Sequence, residues 1–477
     1  MKTTIEVLDS FEKNRVHEST LDILANTGVM VNSALGRKYL AEAGAEVDKN
    51  TKIVRFPRQL VEECIKLAPK HFKLGARRPG WDLEMNGDDC MLVADGEATY
   101  AVDWPSTERR IATMEDWLIA TRLLDSIDDI GVYWAMVESG LKDGSQFKLV
   151  KYWRHLLSNF SKHLQDVINS KEQAPWILEI LQIVFGDKQV IREQHPLSLL
   201  LCPQSPLMID KQYTDAYLSM TGWDIPVAIM PMPLMGGTGP ANMISMVIQG
   251  NCEVLSMLCL VQAATPRTPV IYAPVLAAMD PHTGLYSGGA IENGILGVAA
   301  IEMGRYYGLP VEGVGGGTSQ FIPGIQAGYE RVLTGFMPTL KLPDLIVGPG
   351  LVGNSMVLSL EQLVIDVEIF RMSMHAYRGI DTREGNWLND VIQQVGPGGH
   401  YLSERSTVQA FRNGEMYLPN LGYRGPYLAW KEAGGTTLLQ EAHEKVEYLL
   451  ANYDPLPLSE EVERELELLQ KRVEFTI

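Results

Sequence analysis

The sequence contains little cysteine and no pattern typical of a metal site. Its 477 residues include only five scattered cysteines, Cys64, Cys90, Cys202, Cys252 and Cys259. It has no Cys-x-x-Cys, no His-Glu-x-x-His and no histidine pair at ligand spacing. These absences exclude a fold framed by disulfides and argue against a zinc site. We expect reduced thiols, no bound metal and a cytoplasmic location.

Positive charge, nucleophile motifs and membrane signals are also scarce. Lysine and arginine number 41 against 59 aspartates and glutamates, a formal net charge of −18. Such a chain repels phosphate backbones and anionic lipid, which disfavours nucleic acid and membrane surfaces as partners. The sequence has no Gly-x-Ser-x-Gly elbow and no Ser/His/Asp order. We find no apolar run of the roughly 20 residues that would cross a bilayer, and no apolar signal core near Met1.

A repeating pattern occupies residues 89–378. Short apolar or β-branched runs alternate there with helical patterns, across turns rich in Gly, Pro or Ser. Eight strands, each followed by a helix, predict a (β/α)8 barrel, which typically needs ~250 residues. The alternative is an open doubly wound sheet. The predicted strands are 90–94, 131–137, 163–168, 197–202, 226–231, 269–274, 310–314 and 344–348.

The two flanking segments lack this pattern. Residues 1–88 contain helical periodicity at 7–27 and 57–67, followed by short β-like runs, and we interpret them as an N-terminal cap segment. Residues 379–477 contain a turn-rich break and then two helical patterns, at 435–451 and 458–474. We interpret them as a C-terminal helical extension.

Aromatic residues and glycines dominate the carboxyl ends of the predicted strands, where barrel enzymes place their chemistry. Arginine and lysine are scarce there, which disfavours a phosphorylated substrate. The negative faces of aromatic rings attract a quaternary ammonium ion, which has no hydrogen to donate. We therefore predict an ammonium pocket in the barrel mouth, although any single ring could pack in a core instead. The candidate rings are Trp134, Tyr272, Phe321, Tyr100, Tyr133 and Trp104.

Several motifs together resemble the trimethylamine methyltransferase superfamily. The longest is GGGTSQFIPGIQAGYE at 315–330, and it follows the predicted seventh strand. The others, in the same order as in the family, are RRIAT at 109–113, NCEVL at 251–255, DPHTG at 280–284 and YYGLP at 306–310. The resemblance covers most of the chain. It implies a (β/α)8 barrel that moves a methyl group from a methylated amine to the cobalt of a separate corrinoid protein.

The sequence departs from the archaeal trimethylamine enzymes at two points. Their pyrrolysine, in the loop after the seventh strand, corresponds here to Phe321, and Gly324-Ile325 stands where an Asp is expected. Members without pyrrolysine resemble demethylases of quaternary amines, namely glycine betaine, proline betaine, carnitine and γ-butyrobetaine. A quaternary nitrogen leaves as a neutral amine without protonation, so we expect no catalytic residue beyond those that position the methyl group.

A betaine also carries a carboxylate, which needs hydrogen-bond donors. Because arginine is scarce at the strand ends, we predict that neutral donors and a histidine bind it. The candidates are His163, Gln165, Ser319, Gln320, Asn354 and the main-chain N–H groups of Gly316 and Gly317, with His400 in reserve.

The expected partners follow from the same resemblance. No corrinoid-binding Asp-x-His-x-x-Gly motif occurs. We therefore expect no tightly bound cofactor, a corrinoid (cobalamin) supplied by a partner protein, and a homo-oligomer. The Gly-rich rims at 236–239, 315–317 and 396–399 would let a flat corrin approach. Two other functions stay open: a barrel enzyme of different chemistry, such as a lyase, and a non-catalytic betaine-binding protein.

Overall fold

Eight short parallel strands form the centre of the fold in a computed structural model that describes residues 2–141 and 145–474. Each strand pairs with the next one in sequence, and the eighth pairs with the first. The ring closes between the sixth and seventh strands, where Tyr272 pairs with Val311 and donates its N–H to the Pro310 carbonyl at 2.9 Å. The strands are Met91–Val93, Ile130–Tyr133, His163–Asp166, Leu197–Leu201, Val227–Ile229, Val270–Tyr272, Glu312–Val314 and Leu345–Val347.

The closed ring confirms the predicted (β/α)8 barrel and excludes the open doubly wound sheet. Each predicted strand overlaps an observed one. The second strand is shorter than predicted because residues 134–137 leave the barrel wall at its mouth, where Val137 bridges to Ala98.

Helices surround the barrel and alternate with its strands. Several begin at capping residues: Thr113 and Asp116 form a capping box, and the Ser359 hydroxyl accepts the Gln362 N–H. These helices are Met114–Ser126, Gln146–Asn159, Ala174–Phe185, Lys188–Gln194, Gln212–Leu218, Met243–Ala264, Ile291–Tyr306, Ile325–Thr339 and Leu360–Arg378.

Two small sheets lie at opposite ends of the barrel, and the one at the N-terminal end closes it. A hairpin of Phe72–Leu74 and Leu83–Met85 packs Leu74 and Met85 against the inward-facing side chains and closes the N-terminal end. At the carboxyl end, a four-stranded sheet joins the loops that follow the first and eighth barrel strands. Its strands are Tyr100–Val102, Arg109–Ile111, Leu351–Val352 and Val357–Leu358. The carboxyl end is therefore the side left for a ligand.

The N-terminal segment packs against one long apolar helix, Met243–Ala264. By length and composition this helix could cross a membrane, so our expectation that no run is long enough is wrong. Asn251 and Glu253 interrupt its apolar pattern in the sequence, and both are buried. The helix is itself mostly buried inside the protein, as core helices are. The covering elements are Ser10–Asn26, Ala34–Glu42, Arg58–Leu67 and a sheet of Val29–Val31, Glu46–Val47, Ile53–Arg55 and Met208–Ile209.

The C-terminal segment returns to the barrel at its end. Leu438–Asn452 packs on Leu360–Arg378 and Met114–Ser126, and Glu460–Glu474 packs on Gln146–Asn159. Both helices confirm the sequence-based expectation. The predicted segment boundaries, 1–88, 89–378 and 379–477, stay predictions. Short helical elements precede the two helices: Glu384–Asn386, Asn389–Val395, Arg405–Arg412 and Tyr427–Glu432.

Residues 380–437, which we call the arm, expose many apolar side chains. Ile380, Leu402 and Leu418 are 73%, 82% and 80% exposed. Exposed apolar surface of this kind is typical of interaction sites. The arm carries five basic and six acidic residues in a chain of net charge −18, so it is nearly neutral and can approach a second acidic copy.

We predict that the protein is a homo-oligomer held partly by the arm. Light scattering should give a multiple of the 53.0 kDa chain mass. The double variant Leu402→Asp/Leu418→Asp should shift toward the monomer, because each carboxylate would be desolvated in the contact. The control variant Leu67→Asp/Leu468→Asp changes exposed leucines outside the arm and should keep the wild-type mass. A monomeric wild type would contradict the prediction.

Candidate functional site

A cavity of about 330 Å³ lies at the carboxyl ends of the barrel strands. Its lining is mostly apolar and contains no lysine, arginine or histidine. The polar and aromatic lining residues are Asp95, Trp134, Tyr286 and Ser355. The apolar ones and glycines are Met230, Met232, Leu234, Val275, Ala277, Val314, Val347, Gly96, Gly315, Gly317 and Gly348.

Asp95 is the acidic side chain of this cavity. It follows the first barrel strand, and its carboxylate accepts the Ser355 hydroxyl at 2.5 Å and the Gly96 N–H at 3.0 Å. Burial raises the pKa of Asp95 to about 6, against the opposing effect of the Ser355 hydrogen bond and the Arg331 charge. A cation in the cavity would favour the ionised carboxylate and lower that pKa again.

Two aromatic side chains line the same cavity. Trp134 follows the second barrel strand, and Tyr286 belongs to the loop after the sixth. Burial raises the pKa of Tyr286, and the negative charge of Asp95 raises it further. The cavity thus combines two aromatic side chains with one carboxylate, a combination that suits an organic cation.

A buried chain of hydrogen bonds holds Trp134 from below. Its indole N–H donates to the side-chain oxygen of Gln165, and the Gln165 amide donates to Glu312 at 3.0 Å. Glu312 is 1% exposed, and burial raises its pKa to about 7. Its other carboxyl oxygen has no hydrogen-bond partner. Because Glu312 stands two residues before Val314 on one strand, it faces the barrel interior one layer beneath the cavity.

Arg331 and Glu330 fix the glycine-rich loops that follow the seventh and eighth strands. The buried Arg331 guanidinium binds the carbonyls of Gly316, Gly348 and Leu351, and it pairs with Asp366 at 2.7 Å. The Glu330 carboxylate accepts the Thr318 hydroxyl at 2.6 Å and the Ser319 N–H at 2.9 Å.

The two loops touch so closely that glycine is required. A Cβ at Gly348, whose φ is +144°, would lie 1.7 Å from the Gly315 carbonyl oxygen. The close approach is therefore possible only without a side chain at this position.

A second, larger cavity of about 610 Å³ lies beside the first, and Met232 lines both. It is lined from the ends of the third to fifth strands. Its ionisable side chains are Cys202, Asp210 and Tyr213, and its lining also lacks lysine, arginine and histidine. Burial raises the pKa of Asp210.

Three of the predicted site residues belong to the cavity or its immediate support. Trp134 and Gly317 line it, and Gln165 binds the Trp134 indole. Gly316 turns away with φ +74°, and its carbonyl accepts a hydrogen bond from Arg331.

Tyr133 and Tyr272 do not reach the cavity, because their side chains point outward from the barrel. The Tyr133 hydroxyl accepts the Trp117 indole N–H at 2.8 Å, and the Tyr272 hydroxyl donates to the Asn251 amide oxygen at 2.9 Å. Both are buried in the layer between strands and helices. Neither ring lines the cavity, which corrects the prediction that Tyr133 and Tyr272 belong to the pocket.

The other three candidate rings lie elsewhere at the surface. Tyr100 lies beneath the Arg109 guanidinium at 4.3 Å, and Trp104 stacks on His443 with ring centroids 5.2 Å apart. Phe321 is 56% exposed and packs over Gly353. None of the three lines the cavity.

His163 lies at the opposite end of the barrel, because it is the first residue of its strand. Its Nδ1 contacts the Gly75 carbonyl at 3.0 Å, and its Nε2 contacts the Ser198 hydroxyl at 2.9 Å. The carbonyl can only accept, so Nδ1 carries the proton and Nε2 accepts from Ser198. The reserve candidate His400 is exposed and also does not line the cavity. Neither histidine is placed to bind a substrate carboxylate in this cavity, which corrects that prediction.

Ser319, Gln320 and Asn354 connect loops rather than line the cavity. The Ser319 hydroxyl accepts the Gly289 N–H at 3.2 Å, and the Asn354 side chain accepts the Gly288 N–H at 2.8 Å. The Gln320 carbonyl accepts the Gly353 N–H at 2.6 Å. These contacts join the loops after the sixth, seventh and eighth strands, so the predicted anion donors serve the loop structure.

The cavity also contains residues that the sequence-based prediction missed, chiefly Asp95, Tyr286 and Ser355. The position of Asp95 directly after the first strand was a usable signal. Tyr286 lies within the long loop after the sixth strand, and Ser355 lies in the turn between Leu351–Val352 and Val357–Leu358. No pattern in the sequence marks either of them.

Among residues 2–141 and 145–474, no group of three or more His, Cys, Asp or Glu side chains is arranged to hold a metal ion. All five cysteines are free.

Comparison with known proteins is consistent with this architecture. A sequence model of the trimethylamine methyltransferase family matches residues 1–475. The trimethylamine methyltransferase of Desulfitobacterium hafniense is 29% identical and aligns with 96% of this chain and 92% of its own length. A glycine betaine methyltransferase of the same species is 28% identical over 97% of this chain and 95% of its own.

One solved structure, the monomethylamine methyltransferase of Methanosarcina barkeri, has a similar fold. The TM-score is 0.50 at 10% identity, and the match covers 99% of this chain and 96% of that one. At this identity the similarity concerns the fold alone.

The buried His163 predicts a pH dependence of stability. Burial lowers its pKa from 6.5 to about 4, so the unfolded chain binds a proton that the folded chain refuses between those values. Stability should therefore fall as the pH drops from 6.5 to 4, by roughly 3 kcal/mol in total. Urea unfolding of the wild type and His163→Asn at several pH values isolates this contribution from that of the carboxyl groups. A parallel pH dependence in the two proteins would contradict the prediction.

The Arg331–Asp366 pair predicts a large loss on substitution. Arg331→Met should lower the free energy of unfolding by about 3–5 kcal/mol, because it leaves a buried carboxylate and three carbonyls without their donor. The control Arg371→Met removes a half-exposed pair with Asp129 and should cost about 1 kcal/mol or less. Denaturant unfolding measures both, and equal losses would contradict the special role of Arg331.

Proposed function

The chain belongs to the trimethylamine methyltransferase family and is a methyltransferase, and from this premise we propose that it demethylates a quaternary amine and passes the methyl group to Co(I) of a partner corrinoid protein. The class includes glycine betaine, proline betaine, carnitine and γ-butyrobetaine, as well as ammonium ions without a carboxylate. The observation that carries the proposal is the cavity in which Trp134 and Tyr286 accompany Asp95.

The cavity favours a quaternary ammonium for two physical reasons. Such an ion cannot donate a hydrogen bond, so it loses little when mostly apolar side chains replace its water. The aromatic faces and the Asp95 carboxylate then supply the attraction that water had supplied. No basic residue lines the cavity, so no lining side chain repels the bound cation.

The reaction needs no proton transfer from this chain. The corrinoid supplies a Co(I) nucleophile to the methyl carbon, and the C–N bonding pair stays on the nitrogen as the amine leaves neutral. The side chains of the cavity hold the cation, exclude water and fix the direction of the C–N bond. Asp95 stabilises the charged substrate more than the neutral product, so it favours binding of the one and release of the other.

The rim of the barrel mouth provides a surface for the partner. Exposed apolar side chains surround it, with Met232 at 53%, Leu285 at 65%, Phe321 at 56% and Ile325 at 91% exposure. Such a rim suits an apolar face of another protein that carries a flat macrocycle. The partner must leave with the methyl group, so the interface should be modest and dissociate quickly.

The proposed cofactor use and location follow. The corrinoid resides on the partner, and this chain holds no cofactor tightly. A cytoplasmic location is proposed, and the five free cysteines support it.

The test mixes the purified protein with Co(I) cobalamin and a panel of quaternary amines. We expect the visible spectrum to change to that of methyl-Co(III). Trp134→Leu should weaken amine binding by roughly 0.5–2 kcal/mol, because it removes an aromatic face. The matched control Trp104→Leu removes the ring that stacks on His443, outside the cavity, and should bind like the wild type.

Two outcomes would contradict this function. Amine binding without methyl-Co(III) would indicate a non-catalytic binding protein. Turnover that needs a metal ion retained through dialysis would indicate a barrel enzyme of different chemistry, such as a lyase.

A further inference from the structure

We propose that the substrate is a compact quaternary ammonium ion without a carboxylate, such as a tetraalkylammonium ion or an ammonium alcohol, bound between Asp95, Trp134 and Tyr286. This proposal rests on the proposed function and narrows its substrate class. It departs from the betaines that the sequence resemblance implied.

The charged side chains that line the two mouth cavities are all acidic. Asp95 lines the smaller cavity and Asp210 the larger, and neither cavity has a lysine, arginine or histidine in its lining. Glu312 adds a third carboxyl group one layer beneath. A cation entering this region meets only opposite or neutral groups, whereas an anionic tail meets carboxylates.

The geometry of a betaine makes its binding in the smaller cavity unfavourable. In glycine betaine one methylene separates the nitrogen from the carboxylate, so both charges enter the same small cavity. An ammonium group placed at Asp95 brings the substrate carboxylate close to the Asp95 carboxylate, in mostly apolar surroundings. The repulsion between like charges is then much stronger than in water.

The Ser355 hydroxyl and the nearest charged donor, Arg331, are engaged elsewhere and cannot offset this repulsion. The Ser355 hydroxyl donates to Asp95 itself. The Arg331 guanidinium lies behind the loops, where it binds Gly348 at 2.8 Å and Asp366 at 2.7 Å, and it does not line the cavity. Gly317 offers at most its main-chain N–H and Tyr286 its hydroxyl, and neutral donors do not replace a counter-charge.

The ionisation of Asp95 is consistent with such a ligand. Its pKa of about 6 leaves the carboxylate mostly ionised at neutral pH, and a bound cation would keep it so. The Ser355 and Gly96 hydrogen bonds hold the carboxylate in place without neutralising it. Asp95 therefore acts as the counter-ion of the ammonium group.

Isothermal titration of the full-length wild type with four probes tests the proposal. The probes are tetramethylammonium chloride, choline chloride, glycine betaine and γ-butyrobetaine. We expect the first two to bind roughly tenfold tighter than glycine betaine, a factor between the limits that water and a protein surface set for two charges about 4 Å apart. The longer γ-butyrobetaine should fall between, because its carboxylate can lie farther from Asp95.

The variant Asp95→Asn separates attraction from repulsion. It should weaken choline binding roughly tenfold and change glycine betaine binding less than about threefold, because it removes the attraction and the repulsion together. The matched control Asp454→Asn changes an exposed aspartate and should leave all four affinities unchanged. Thermal unfolding of each variant verifies that it is folded. The comparison of the four probes on the wild type does not depend on any variant.

The outcomes distinguish this inference from the proposed function. If glycine betaine binds tighter than choline and also methylates Co(I) cobalamin, the inference fails and the proposed function stands. If choline binds tighter but no amine methylates cobalamin, the proposed function fails and the cavity remains an ammonium site. If none of the four binds, both proposals are overturned.

Discussion

The buried guanidinium of Arg331 holds the open end of the barrel together. Parallel strands end in carbonyls with no partner in the sheet, and at the seventh and eighth strands these carbonyls turn toward one side chain. Arg331 binds three of them and pairs with Asp366, which itself accepts the Gly350 N–H at 2.8 Å. One planar donor thus positions both glycine-rich loops and, through them, one wall of the cavity.

The loops that Arg331 holds in place affect the ionisation of Asp95 in the cavity. The loops need no side chains of their own to stay in place, so glycines can line the cavity. Burial raises the pKa of Asp95, and in these mostly apolar surroundings a cation is worth more to that carboxylate than it would be in water. Because Arg331 holds the loops from behind, their glycines can line the cavity, and the same lining favours a cation at Asp95.

Much of the fold could be predicted from the sequence, and much of the site could not. Apolar runs separated by helical patterns located all eight strands, because a strand buried on both faces leaves a strong composition signal. Burial on both faces also means that the sequence does not indicate which side chains of a strand point into the barrel. Tyr133 and Trp134 are neighbours, yet one packs against helices and the other lines the cavity. A strand that is apolar on both faces carries no alternation from which the inward face can be read.

The sequence by itself determined the barrel and the family, because each depends on local composition and on motifs kept in order. The tertiary structure alone decided which side chains share the cavity. Tyr286 reaches it from a long loop and Ser355 from a turn between two short strands, whereas the polar residues near 319 and 354 join the loops to one another. The conformation of a loop depends on contacts with distant parts of the chain, here above all with Arg331 and Glu330. No local pattern records those contacts, so the charge and shape of the site emerge only when the chain has folded.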